Sequence, residues 1–148
     1  MDIQKVKQLR EETGISLGEC QKALEQADNN LEGAKKILKE KGIESVRKKS
    51  ERKTGAGIIE AYVHPNKKVG VLLDIRCETD FVASNQDFQA LAHNILLHIA
   101  AIDSKDKESL LAEPFIRDES KTINDLIVEK ISKLGENITI ENFARFEI

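Results

Sequence analysis

The sequence changes its hydrophobic period once, and that change limits what the chain can build. Over the first 44 residues the apolar positions recur every three to four residues, as they do on helices. The two glycines of Thr54-Gly55-Ala56-Gly57 interrupt this pattern, and beyond them the period is two. Val69, Val71, Leu73, Ile75 and Cys77 alternate with Gly70, Leu72, Asp74 and Arg76, as in a strand with one buried face. A helical module followed by a module containing a sheet is expected.

In the helical module, Ile3, Val6, Leu9 and Arg10 share one face of a first helix, and Gly14 is placed to cap its end. Ser16 suits the N-cap of a second helix, with Glu19 three residues on to complete a capping box. Leu17, Cys20, Ala23, Leu24 and Ala27 form the apolar side of that helix. Asn29 or Asn30 caps a third, striped by Leu31, Ala34, Ile37 and Leu38 and expected to end at Gly42. Helices this short persist only by pooling their apolar faces, which makes a small, weakly stable module suited to docking on something else.

In the second module, GIIEAYVH (57–64) is a strand, Pro65-Asn66 its turn, and the Val69 strand its antiparallel partner. ENITIENFARFEI at the C-terminal end reads as a third strand. There Ile138, Ile140, Ala144, Phe146 and Ile148 alternate, with Asn142 as the one polar break. A helix capped by Asn85 places Phe88, Leu91, Ala92, Ile95, Ile99 and Ile102 over the sheet. Leu97, with Ala90 and Ala101, lies on another side of it and calls for a second partner: a helix, a domain or a subunit. KDKESLLAEPFIRD is a short helix and turn. A last helix buries Ile123, Leu126, Ile127, Lys130 and Ile131 and stops at Gly135. The fold class is α+β, a three-helix bundle followed by a three-stranded antiparallel sheet covered by helices. The expected domains are 1–44 for the bundle, 45–56 for a basic linker and 57–148 for the α+β core.

Charge and cysteine content narrow the function. The net charge is −3, yet the basic residues gather in VRKKSERK (46–53). That run fits a solvated linker or an attachment to RNA or an acidic protein face. The acidic balance of the rest argues against nucleic acid as the main ligand. No apolar run approaches a membrane span, the N-terminus has no signal-peptide core, and Cys20 and Cys77 form neither metal spacing nor a disulfide framework. A cytoplasmic protein is expected. His93 and His98 are five apart and diverge on a helix, so metal binding is not expected of them, and a polar-face or interface placement is. Cys77 falls on the apolar side of its strand with Glu78 and Asp80 nearby, a poor setting for a nucleophile. Asp103 and Asp106 read as solvated loop carboxylates. Phosphate loops and hydrolase motifs are absent from the sequence, so no enzymatic chemistry and no bound cofactor are expected.

The feature left over is Thr79-Asp80-Phe81. It joins a strand to a helix and sets one of only five phenylalanines behind three polar residues. Two placements fit. Phe81 tucks under the following helix while Asp80 helps cap it, or the pair protrudes as an anchor for a partner protein.

TDFVASNQDFQALA (79–92) resembles the signature of the bacterial elongation factor Ts family. VKQLREETGISLGECQKALEQADNNLEGAKKILKEKG is similar to that family's ubiquitin-associated-type domain, and GENITIENFARFEI resembles the strand that ends its core subdomain. The resemblance implies a guanine-nucleotide exchange factor of translation whose partner is the GTPase elongation factor Tu. It implies that Asp80 and Phe81, with Thr79 before them and Val82 and Ala83 behind, push between two helices of the GTPase. The Mg²⁺ and phosphate site is thereby disturbed and GDP leaves. It also implies that the factor itself carries no nucleotide or metal. Longer members have a second core subdomain and a helical hairpin for which this chain has no room, and short members can act as pairs. The Ala90, Leu97 and Ala101 stripe fits a homodimer, or a contact with the N-terminal module.

Overall fold

A computed structural model describes residues 2–148. The chain forms two compact units, one ending at Ser50 and one spanning Glu51–Ile148.

The first unit holds α1 (Ile3–Thr13), α2 (Leu17–Gln26) and α3 (Leu31–Lys49). The Asp2 carboxylate caps α1 by accepting from the N–H groups of Gln4 and Lys5. Gly14 closes the helix at φ 70°, a left-handed conformation that costs glycine little. Val6, Leu9, Cys20, Ala23, Leu24, Ala34 and Leu38 form the core, while Ile3 and Leu17, expected among the apolar faces, are largely exposed. The Ser16 hydroxyl accepts from Glu19 N–H, so its half of the expected capping box is present. Asn30, rather than Asn29, caps α3.

The third helix does not end at Gly42. It continues to Lys49 and takes in the first part of the segment expected as a linker. One interior glycine costs a helix only about 1 kcal/mol, and the residues beyond it are good helix formers with no proline. Lys48 pairs with Glu44 one turn back, and Arg47, Lys48 and Lys49 suit the negative end of the helix dipole.

The second unit is built on β1 (Ala56–Val63), β2 (Val69–Cys77) and β5 (Thr139–Glu147), antiparallel in the order β1-β2-β5. Helix α5 (Gln86–Ala101) packs on β1 and β2, and α7 (Ile123–Leu134) packs on α5. Phe88, Leu91, Ala92, Ile95 and Ile99 are buried as expected. Leu96 and His98 join them, and Ile102 is the partly exposed C-cap. Thr122 and Asp125 form a complete capping box on α7, and Gly135 ends that helix at φ 77°. Between the two helices lie α6 (Lys107–Ala112), capped by Asp106, and a ribbon of β3 (Pro114–Phe115) with β4 (Asp118–Thr122). The turn expected there is present at Ile116-Arg117, and it joins the two strands of this ribbon.

Two expectations fail for reasons of packing. The alternation of β5 reverses at a bulge: Ile140 pairs with Ile75 and Asn142 with Asp74, so Glu141 is the extra residue. Ile138 and Ile140 are buried, but Ala144 and Phe146 then face out with Asn142, while Phe143 and Arg145 turn toward α5. Arg145 uses the position to donate 3.0 Å bonds to the carbonyls of Ile99 and Ala100 at the end of α5. The second failure is His98, which is fully buried rather than on a polar or interface face. Its Nε2 lies 2.9 Å from Glu113 Oε1, Ile116 N–H donates to its Nδ1, and Ser104 donates to the same Glu113 oxygen. A buried imidazole is tolerated there because both ring nitrogens are matched.

Candidate functional site

Strand β2 delivers the chain to the loop at Cys77, whose side chain points into the core and donates to the Thr79 carbonyl at 3.2 Å. Thr79 is extended, and its hydroxyl oxygen accepts from Val82 N–H at 3.3 Å. That bond caps α4 (Asp80–Ala83), a single turn, before Asn85 caps α5. Successive residues of a helix point about 100° apart, so a one-turn helix lying on a core must divide its side chains. Val82 and Ala83 face inward at 4% and 6% exposure, and Asp80 and Phe81 face outward, Phe81 at 86%. Of the two placements left open by the sequence, the phenylalanine takes the protruding one.

What holds this turn was not visible in the sequence. Glu136, just past the Gly135 cap of α7, points its carboxylate at the loop. Its Oε1 accepts from Glu78 N–H at 3.1 Å and Thr79 N–H at 3.0 Å, and its Oε2 accepts from the Thr79 hydroxyl at 2.7 Å. In return Glu78 Oε2 accepts from Asn137 N–H at 2.6 Å, and Arg52 stands 3.6 Å from that oxygen. Asn137 is nearly buried and donates its side-chain amide to the Arg52 carbonyl. The only local signal was a Glu-Asn pair between a helix-ending glycine and a strand.

The remaining candidates offer no reactive group. Cys77 has no accessible sulfur, and burial, reinforced by the charge of Glu136, pushes its thiol pKa up. Among the described residues, no three of His, Cys, Asp and Glu are grouped to hold a metal ion. His64 is bonded to the Tyr62 hydroxyl at 2.9 Å, and His93 is exposed. Ala90 and Ala101 are exposed, and half-buried Leu97 lines a shallow groove of about 400 Å³ with Tyr62 and Ile116. No helix among the described residues is long and apolar enough to cross a membrane.

A family profile described as Elongation factor TS matches residues 78–148, from the clamped loop to the end of the sheet. The chain is 39% identical to "Elongation factor Ts" of Coprothermobacter proteolyticus, with 97% of this chain and 95% of that relative aligned. The chain belongs to the elongation factor Ts family. It is 36% identical to "Elongation factor Ts" of Rubrobacter xylanophilus, over 99% of this chain and 98% of the relative. Against "Elongation factor Ts" of Nostoc sp. it is 41% identical over 97% of its own length but only 45% of the relative's. The alignment with the Coprothermobacter protein runs over 188 positions against the 148 residues present here, so at least 40 positions have no counterpart in this Ts-family chain. Membership makes it a translation elongation factor of the exchange-factor kind.

Proposed function

We propose that this chain binds elongation factor Tu in its GDP form and releases the nucleotide by inserting Asp80 and Phe81 between two helices of the GTPase. The observation that carries this reading is the 86% exposure of Phe81 on a turn whose other side, Val82 and Ala83, is anchored in the core. An aromatic ring presented on a preorganised base is a binding anchor, because little conformational freedom is lost when it docks. Thr79 starts the turn, and Asp80 brings a negative charge toward the phosphate and Mg²⁺ site of the partner.

The magnitudes show what else is needed. Burying one Phe contributes about 1.5–3 kcal/mol. Accelerating release about ten-thousandfold needs about 5.5 kcal/mol. The remainder comes from the wider interface, to which the N-terminal helical bundle contributes, and from loss of Mg²⁺ neutralisation. Factor and nucleotide then weaken each other's binding by the same factor. No covalent bond is made or broken by this chain, so it is an exchange factor rather than an enzyme. It needs no cofactor or nucleic acid of its own, and acts in the cytoplasm where translation occurs.

A second copy of this chain completes the proposal. The sheet face away from α5 exposes Ile59, Val63, Leu72 and Phe146 in adjacent registers. Its Asp74 and Arg76 are already paired within the chain, so covering these two residues strands no lone charge. Its exposed side chains are bulkier than those of Ala90 and Ala101, and we assign homodimerisation to this face.

The deciding experiment is release of a fluorescent GDP analogue from elongation factor Tu with catalytic amounts of the factor. Wild type accelerates release and Phe81→Ala does not. Equal stimulation by both proteins removes the wedge, and binding without any release by wild type makes the chain an adaptor.

A further inference from the structure

We infer that Glu136 is a positioning residue for nucleotide exchange, holding the Asp80-Phe81 turn in its docking conformation. The inference rests on the exchange reading above and adds a residue to it. A single helical turn is far too short to be stable alone. Here α4 persists because three donors of its leading loop, the N–H groups of Glu78 and Thr79 and the Thr79 hydroxyl, converge on one carboxylate at 3.1, 3.0 and 2.7 Å. The hydroxyl bond matters most. By donating to Glu136 Oε2, Thr79 directs its proton away from the helix and leaves a lone pair aimed at Val82 N–H, 3.3 Å away. Glu136 therefore sets the rotor that caps the turn carrying Phe81.

The opposite direction is fixed as well. Glu78 accepts from Asn137 N–H at 2.6 Å, so the segments before α4 and after α7 grip each other from both sides. The carboxylate comes from residue 136 and the wedge from residues 80 and 81, more than fifty positions apart in sequence. Without the carboxylate, the Thr79 hydroxyl is free to turn to other acceptors and the two amides lose their partner. Phe81 then samples many orientations, and that freedom must be lost when the wedge inserts after the rest of the interface has docked.

The acceptor geometry, rather than the charge, is what the loop needs. A glutamine keeps one oxygen for the two amides but sets an NH₂ donor where the Thr79 proton needs an acceptor, so Glu136→Gln should fall between wild type and Glu136→Ala in maximal stimulated release, and Glu136→Ala should fall about tenfold or more. The half-saturating factor concentration should change less than the maximal rate, since the rest of the interface is untouched. The test is a double-mutant cycle with Phe81→Ala, read as fluorescent GDP release from elongation factor Tu, with amide hydrogen exchange of each variant. If Glu136 acts through the wedge, Glu136→Ala slows release in the wild-type background and not in the Phe81→Ala background. Val82 N–H loses protection while amides of β2 do not. A slowing of the same size in both backgrounds, unchanged release, or unchanged Val82 protection overturns the inference. If Phe81→Ala by itself leaves stimulation intact, the exchange reading falls first and this one with it.

Discussion

Phe81 and Val82 are neighbours in the chain with opposite surroundings, the first 86% exposed and the second 4%. The single turn of α4 separates what this loop offers from what anchors it. The two side chains should therefore separate function from stability. Phe81→Ala is expected to change unfolding free energy by no more than about 0.5 kcal/mol while removing most stimulated GDP release. Val82→Ala should cost about 2 kcal/mol of stability by leaving a cavity. Urea unfolding alongside the exchange assay checks both; a large stability loss in Phe81→Ala would mean that the ring packs on its own domain.

Acid should act on the sheet through Asp74. Arg76 donates to both of its carboxylate oxygens, Nε at 2.5 Å and Nη2 at 3.0 Å, and these bonds hold the carboxyl below its ordinary pKa. A folded value below the unfolded one means that the pair's stabilisation is complete above the unfolded value of about 3.9 and is lost as the pH falls through the folded value. Arg76→Ala should raise the titration midpoint of Asp74, followed by NMR of the carboxyl carbon. An unmoved midpoint would show that the guanidinium contributes nothing in solution.

Gly57 should resist any side chain. It lies in β1 opposite Arg76 at φ 149°, and an added Cβ would stand 2.7 Å from Arg76 Cα and against the Ile75 carbonyl oxygen. Both obstacles are backbone, so β1 would have to lift from β2. Gly57→Ala is expected to cost about 3 kcal/mol or more in chemical denaturation. A loss under about 1 kcal/mol would show that the strand shifts freely.

The open sheet face makes the dimer testable. Leu72 sits at its centre between Ala61 and Ala144. Leu72→Lys puts a charge where a second copy would pack, and should give a monomer in sedimentation velocity at concentrations where wild type is a dimer. A monomeric wild type at tens of micromolar removes the pairing under those conditions.

Much of the fold was legible because its causes are local. Gly14 and Gly135 end helices where the sequence places them, and Asn85 caps α5. The alternation of β2 is buried on the side that its pattern marks. Gly42 misled because one glycine is a weak obstacle when strong helix formers follow. Asn142 breaks the alternation of β5, but a break does not say which side the following residues take. The bulge at Glu141 settles that, and it exists only because β5 is registered against β2.

By itself, the sequence determined the order of helices and strands, the caps, the strand that carries the loop and the family signature at residues 79–92. Those follow from periodicity and from bonds between residues a few positions apart. Only the tertiary structure decided that Phe81 points outward, that Phe146 joins it on the surface, that His98 is buried, and that Glu136 reaches the Thr79 hydroxyl. Each of these depends on which distant groups meet, and burial and long-range hydrogen bonds are properties of that meeting rather than of any segment.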